Sequence, residues 1–272
     1  MVTPVPLGAR LSILYAEKGV LERDGSAVVL RQDETLTHFP VGTTAVVMLM
    51  PGTTVTHQAV RLCADSGTLL LWTGEHGVRL YSAGQPGGAT AEKLLAQAAV
   101  RLSDRRRLAS AGRIYREMFG EAAPANRSIE QLRGFEGNKV KQLYVSLAAT
   151  AGVPWNGRNA TATAEKDAVN HAISTATAAL YGVTEAAILA LGYSPAIGII
   201  HSGDPRSFVY DVADCVKFKT VVPLAMETAR DPSDIEGRTR RSCRDLFAKE
   251  KLLDRLVELA ENIIDAGQTG RA

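Results

Sequence analysis

Long hydrophobic runs are missing from this 272-residue chain: none approaches the ~20 consecutive apolar residues that a membrane-spanning helix needs. Cysteine is scarce as well. Cys63, Cys215 and Cys243 are odd in number and widely spaced, with no CxxC pair, which argues against a zinc ribbon or a disulfide scaffold and for buried free thiols. Three familiar catalytic signatures are absent: the GxxxxGK[ST] phosphate loop, a GxGxxG turn following a strand, and the GxSxG nucleophile elbow. A nucleotide-driven motor, a dinucleotide-dependent oxidoreductase and an α/β-hydrolase are therefore poor readings. Residues Met1 to Arg10 lack the basic-then-apolar layout of a secretory signal, so the expected location is the cytoplasm.

What is present is an ordinary globular composition, 46% hydrophobic and 22% charged, so disorder is not expected. The net charge is only +2, but it is unevenly spread. Residues 87–150 hold eleven Lys and Arg against six Asp and Glu, whereas the first 86 residues hold six against seven and residues 151–272 fourteen against sixteen. Positive charge concentrated mid-chain can steer an anionic partner.

Pattern and punctuation divide the chain in two. Ala27–Leu30, Ala45–Met50, Thr68–Trp72 and Val78–Tyr81 read as strands, separated by turn chemistry at Asp24-Gly25, Pro40-Val41-Gly42, Pro51-Gly52 and Gly74–Gly77. One helix interrupts them, capped by Thr56 and stopped by Gly67. Gln85-Pro86-Gly87-Gly88 is the strongest breaker and the expected domain boundary. Helical periodicity follows: Ala91–Phe119 with a break near Ser110–Gly112, a helix opened by the capping box Ser128–Gln131 and running past Leu147, then Ala164–Leu191, Ser207–Ala229 and Thr239–Asp265. The expected fold is α+β: a small β-rich domain over residues 1–85 and a larger all-helical domain over 86–272.

Three elements could carry chemistry. Glu136 lies between Gly134 and Gly137 in Arg133-Gly134-Phe135-Glu136-Gly137, and glycine costs about 1 kcal/mol relative to alanine inside a helix. Two glycines so close suggest near approach of something to the backbone, although a kinked helix with a solvated glutamate would give the same pattern. His201 ends the apolar run Ala196–Ile200 at the polar turn Ser202-Gly203-Asp204-Pro205; a lone histidine in such a place is more often structural than a ligand. His38, His57, His76 and His171 receive only the structural reading. Asp211 and Asp214, spaced i and i+3, share a helix face near an N-terminus that Ser207 could cap, where the helix dipole alone would favour them. Beside a histidine and a distant glutamate, the same pair could form a hard-cation site, and oxygen ligands plus one imidazole suit Mg²⁺ or Mn²⁺ better than Zn²⁺. Two arginine clusters, Arg101/Arg105/Arg106/Arg107/Arg113/Arg116 and Arg238/Arg240/Arg241/Arg244, are either solvated faces or phosphate contacts, arginine being suited to bidentate phosphate binding.

In this order the motifs resemble the CRISPR-associated integrase family, the larger subunit of the spacer-acquisition complex, in its type I-E branch. The resemblance rests on Pro51-Gly52-Thr53, Gly74 to Arg79, Gly84 to Ala89, Glu130 to Gly137, Trp155-Asn156-Gly157-Arg158, Tyr181 to Ile188, His201-Ser202-Gly203, Ser207 to Asp211, Ala213-Asp214 and Lys217-Phe218. Each is weak alone; together they are specific.

The resemblance implies an N-terminal β-sandwich, used for dimerisation and partner contacts, before a helical catalytic domain. It implies a metal held by Glu136, His201 and Asp214, with Asp211 a further acidic residue of the catalytic site. Implied partners are double-stranded DNA (a short incoming fragment and the CRISPR leader-repeat), a second copy of the chain in a homodimer, and a small ferredoxin-like companion subunit; a host DNA-bending protein is a further candidate. Arg79, Arg105, Arg106, Arg133, Lys217, Arg241 and Arg244 are the candidate DNA contacts. Two departures are visible: residues 159–166 lack the aromatics and proline expected after Trp-Asn-Gly-Arg, and Lys18 stands where an aromatic wedge at the duplex ends is expected. A stand-alone metal nuclease acting on branched DNA and a non-catalytic DNA-binding scaffold are the alternatives from other classes.

Overall fold

The computed structural model describes residues 10–74, 80–84, 91–231 and 233–269. Eight strands and a helix come first: β1 (Leu11–Ala16), β2 (Gly19–Asp24), β3 (Ala27–Gln32), β4 (Thr35–Phe39), β5 (Thr44–Leu49), β6 (Thr53–Val55), α1 (His57–Asp65), β7 (Leu69–Thr73) and β8 (Leu80–Ala83). They form two four-stranded sheets. The first has the order β1-β5-β7-β8, with parallel pairing except for β8; the second runs β4-β3-β2-β6, an antiparallel meander with β6 added parallel to β2.

The first sheet is covered on both faces at its centre, which explains why β5 is buried along its whole length and apolar from Ala45 to Leu49 rather than alternating. Val47, Leu49 and Leu70 point to the second sheet and meet Leu21, Val28, Leu30 and Phe39, with Ala59 and Cys63 of α1 completing that core. Their neighbours Val46, Met48, Leu69 and Leu71 point the other way, into the helical core. This is the period-two alternation of a strand, here between two apolar layers. The Thr56 hydroxyl caps α1 by accepting from the Ala59 amide, and Gly67 (φ +68°) follows the helix, as expected from the sequence.

The helical part comprises α2 (Ala91–Arg101), α3 (Asp104–Phe119), α4 (Ile129–Ala151), α5 (Ala168–Leu191), α6 (Ser207–Lys217), α7 (Val221–Thr228), α8 (Ile235–Lys249) and α9 (Leu252–Thr269). Of these, α5 alone among the described residues is long and apolar enough to cross a membrane by length and composition. It is instead the hub of the core, buried on nearly all sides by α6, α7, α8, α9 and the first sheet. A Cβ at Gly182 would come within 2.8 Å of Leu71 Cδ1, so a larger residue there would require the Leu71 side chain to move.

Several boundaries depart from expectation. The break in 91–119 falls at Leu102–Ser103, not near Ser110–Gly112. Ser110, Ala111 and Gly112 are small because α3 packs on α9 there; the Ser110 hydroxyl donates to the Ile263 carbonyl at 2.6 Å. Residues 207–229 form two helices parted at Phe218–Thr220. Ser207 is the first residue of α6 rather than its cap, its hydroxyl donating back to the Asp204 carbonyl. Strands β1, β2, β4 and β6 were not anticipated. The expected domain boundary at 85–88 and the Arg79 contact lie outside the described residues.

Candidate metal centre

Three separate elements converge on one point. Glu136 comes from the middle of α4, Asp214 from α6, and His201 from the irregular segment between α5 and α6. Each offers one ligand atom, and these atoms all lie within 4.8 Å of one another. The reason for the segment's path is local. A Cβ at Gly198 would sit 2.4 Å from the His201 carbonyl oxygen and 2.6 Å from Ser207 Cβ, so only glycine lets the chain fold back on the start of α6.

Asp211, although i and i+3 with Asp214 on α6, is not among the clustered ligand atoms. It is fully buried, and its carboxylate accepts the backbone N–H groups of Ile199, Ile200 and His201. Its Oδ1 also lies 2.9 Å from His201 Nδ1. That leaves Nε2 of the imidazole as the nitrogen free to face the cluster.

The electrostatics fit a cation. Burial, and then the nearby Asp214 carboxylate, push the Glu136 carboxyl up to about 7. For His201, burial works toward the neutral form, but the Asp211 hydrogen bond and the carboxylates of Asp211, Asp214 and Glu136 outweigh it and hold the imidazole above its ordinary value. Burial comes first in the shift of Glu136 and carboxylates in that of His201, and two carboxylate oxygens with one imidazole form a donor set for a hard divalent ion.

Gly134 and Gly137 lie in a helix that runs unbroken from Ile129 to Ala151, and Glu136 between them is half-buried rather than solvated. Both are exposed, and a Cβ at either would meet nothing within 4 Å. No packing within the chain requires glycine there, and the helix is bare beside Glu136.

A cleft of about 640 Å³ opens next to the cluster, lined by His201, Asp214, Tyr181, Tyr210, Arg206 and Glu185 among others. The Tyr181 and Tyr210 rings lie 5.0 Å apart between centroids, with the Arg206 guanidinium 5.5 Å from the Tyr210 centroid. Burial raises the Glu185 carboxyl to about 7 against the opposing pull of Arg206. Sequence reasoning gave these four residues no role, although Tyr181, Glu185 and Tyr210 all lie in motifs that carry the family resemblance.

The candidate DNA contacts separate by exposure. Arg105, Arg106 and Arg133 are exposed, while Arg107 turns inward and donates from Nε to the Ile199 carbonyl at 2.7 Å, so it does not belong to the outward-facing cluster. Lys217 is largely buried and pairs with Asp214 Oδ1 at 3.2 Å. Arg241 and Arg244 are exposed and paired with Asp234 and Asp245. Arg240 is buried between Glu17 and Glu236, a tie between the β-rich and helical parts. All three cysteines are buried free thiols, as expected.

Comparison with known proteins bears directly on this arrangement. The profile of the family described as "CRISPR associated protein Cas1" matches residues 13–123 and 115–243. The chain belongs to the Cas1 family. It is 49% identical to the CRISPR-associated endonuclease Cas1 of Escherichia coli K12 over 271 residues, covering 98% of this chain and 89% of that protein. It is equally similar to the Cas1 endonuclease of Geobacter sulfurreducens, 49% identical over 268 residues, with 97% and 88% covered. Among solved structures, a TtCas1–DNA complex superposes with a TM-score of 0.81 at 36% identity, covering 93% of this chain and 90% of that one. A casposase bound to its integration product shares the fold at 13% identity, with a TM-score of 0.74, covering 94% of this chain and 91% of that one.

Proposed function

We propose that this chain is a metal-dependent DNA integrase with endonuclease activity, which inserts short DNA fragments into a CRISPR array. The observation that carries the reading is the convergence of Glu136, His201 and Asp214 from three elements of a Cas1-family fold. The solved complex of TtCas1 with DNA supports DNA as the substrate, and solved Cas1–Cas2 assemblies support a small companion subunit. A homodimer and a host DNA-bending protein complete the proposed assembly.

The chemistry is transesterification. The 3′-hydroxyl oxygen of the incoming strand bonds to a phosphorus at the repeat boundary. The bond from that phosphorus to the 3′-oxygen of the target strand breaks, leaving a new 3′-hydroxyl, and a second attack on the other strand completes insertion. One phosphodiester replaces another, so no nucleotide energy source is needed, in keeping with the missing phosphate loop. Mg²⁺ or Mn²⁺, when bound, supplies Lewis acidity that lowers the pKa of the attacking hydroxyl and offsets charge on the phosphoryl oxygens.

The residues do the rest. Glu136 and Asp214 hold the ion by oxygen and His201 by Nε2, while Asp211 fixes the imidazole. Lys217 balances the charge of Asp214. The bare α4 backbone at Gly134 and Gly137 leaves room for a DNA strand beside Glu136, with Arg133 as a phosphate contact. Arg105, Arg106, Arg241 and Arg244 are proposed to bind duplex backbone, and Arg79 is retained as a candidate.

The test is a strand-transfer assay with the companion subunit, a labelled duplex and a leader-repeat target, in Mg²⁺, in Mn²⁺ and in EDTA. Joined product that requires the ion supports the integrase. Metal-dependent cutting without joining favours a stand-alone nuclease, and DNA binding with neither cutting nor joining favours a scaffold.

A further inference from the structure

His201 reaches the cluster on a segment with no regular secondary structure, so the backbone polar groups of 194–201 must find partners elsewhere. Asp211 takes the amides of Ile199, Ile200 and His201 from one side. Local turn bonds and the Phe208 N–H, which donates to the Pro195 carbonyl at 2.8 Å, take some of the rest, and further ties come from two side chains on distant helices, Gln97 and Arg107.

Gln97, on α2, is fully buried. Its Oε1 accepts the Ser194 N–H at 2.8 Å, and its Nε2 donates to the carbonyls of Ser194 at 3.0 Å and Ile197 at 2.8 Å. One amide thus clamps both ends of the turn at 194–197. Arg107, on α3, donates from Nε to the Ile199 carbonyl at 2.7 Å. Ile199 is therefore held at its N–H by Asp211 and at its carbonyl by Arg107, which fixes the peptide units on both sides of it. With Gly198 pressed against Ser207, residues 194–201 have little freedom left.

We propose that Gln97 and Arg107 are positioning residues that set the place of His201 in the metal centre, acting through the 194–201 segment and not by contact with metal or DNA. The inference rests on the metal reading above. It also separates Arg107 in role from its exposed neighbours Arg105 and Arg106. Losing a partner hydrogen-bonded directly to a ligand commonly weakens metal binding by about 10- to 100-fold, and ties one step further out, to the backbone that carries His201, act in the same sense at the low end of that range.

The test uses the full chain and four variants: Gln97→Met, Arg107→Met, Arg107→Lys and His201→Ala. Two quantities are read: Mn²⁺ affinity from the free-ion EPR signal, and amide hydrogen exchange across 197–201 and across α5. The expected result is a roughly ten-fold loss of Mn²⁺ affinity in both methionine variants. Exchange at 197–201 should accelerate while the α5 amides keep their protection, and Arg107→Lys, which can still reach the Ile199 carbonyl, should recover most of the affinity. Unchanged Mn²⁺ affinity in the methionine variants, with the wild-type ion still displaced by His201→Ala, overturns the proposal alone. So does faster exchange spread equally over α5, which would mean general destabilisation. A wild-type chain that binds no Mn²⁺, or binds it regardless of His201→Ala, overturns the metal reading together with this one.

Discussion

Asp211 and His201 are joined twice: Oδ1 of the carboxylate lies 2.9 Å from the imidazole Nδ1 and 3.0 Å from the backbone nitrogen of the same residue. One buried carboxylate thus fixes both the main chain and the ring of a proposed ligand. Asp211→Asn preserves the shape but turns an acceptor-only group into one that presents an NH₂ to backbone donors. Hydrogen bonds to a charged partner contribute about 1.5–3 kcal/mol each, so we expect a stability loss of roughly 2–4 kcal/mol, read by denaturant unfolding. Mn²⁺ affinity should fall at least ~10-fold. A variant that binds Mn²⁺ as the wild type does would remove Asp211 from the centre.

The pairing of Asp214 with Lys217 complicates the obvious knockout. Lys217 Nζ is 3.2 Å from Asp214 Oδ1 and 3.4 Å from the Tyr181 hydroxyl, and the Asp214 charge holds the ammonium above its ordinary pKa despite burial. Asp214→Ala should abolish strand transfer, but it also strands a buried cation, at a cost of about 3 kcal/mol. The double variant Asp214→Ala/Lys217→Met should regain most of that stability and none of the activity. Comparing unfolding free energies and strand transfer across the pair distinguishes a lost ligand from a lost fold.

The sequence carried the two-part architecture because both periodicities are strong: β-rich runs with turn punctuation, then apolar positions at helical spacing. It could not carry the sheet order, since strands such as β4 bury little beyond Phe39 and β6 is only three residues long. Glu136, His201 and Asp214 stood out as candidates in their local patterns, but the family resemblance was needed to name them as one ligand set; their spacing says nothing of convergence from α4, a loop and α6. The inward turn of Arg107 was illegible for a related reason. Three consecutive arginines on a helix point in three directions, and only tertiary packing decides which one finds a carbonyl.

Proton release should accompany metal binding. Glu136, pushed up to about 7 by burial and Asp214, and His201, held above its ordinary value, must both shed protons to become ligands. Mn²⁺ affinity should therefore climb as pH rises through about 7. The metal-free fold should behave oppositely. A glutamate with its folded pKa raised above 4.5 contributes stability that is fully present below 4.5 and lost as pH rises through about 7. The raised imidazole acts in the same sense. Melting curves without metal should drop between pH 5 and 8, saturating Mn²⁺ should reverse the trend, and Glu136→Gln should flatten it.

Exposure sorts the arginines by what their loss should do. Arg105 and Arg106 are exposed on α3, and Arg241 and Arg244 make only solvent-exposed pairs with Asp234 and Asp245. Such surface pairs are worth little, about 0–1 kcal/mol, so a phosphate can replace the carboxylate. Replacing any one of these four with alanine should leave the fold intact and reduce the salt slope of duplex binding by about one. Arg240 is the contrast: it is buried between Glu17 and Glu236, so Arg240→Ala should destabilise the fold, because two carboxylates lose their shared cation, while the salt slope stays put. Fluorescence anisotropy against KCl concentration, alongside thermal melts, measures both axes. If Arg105→Ala and Arg241→Ala leave the slope unchanged, these side chains form a solvated face, and the duplex must approach the metal centre from another side.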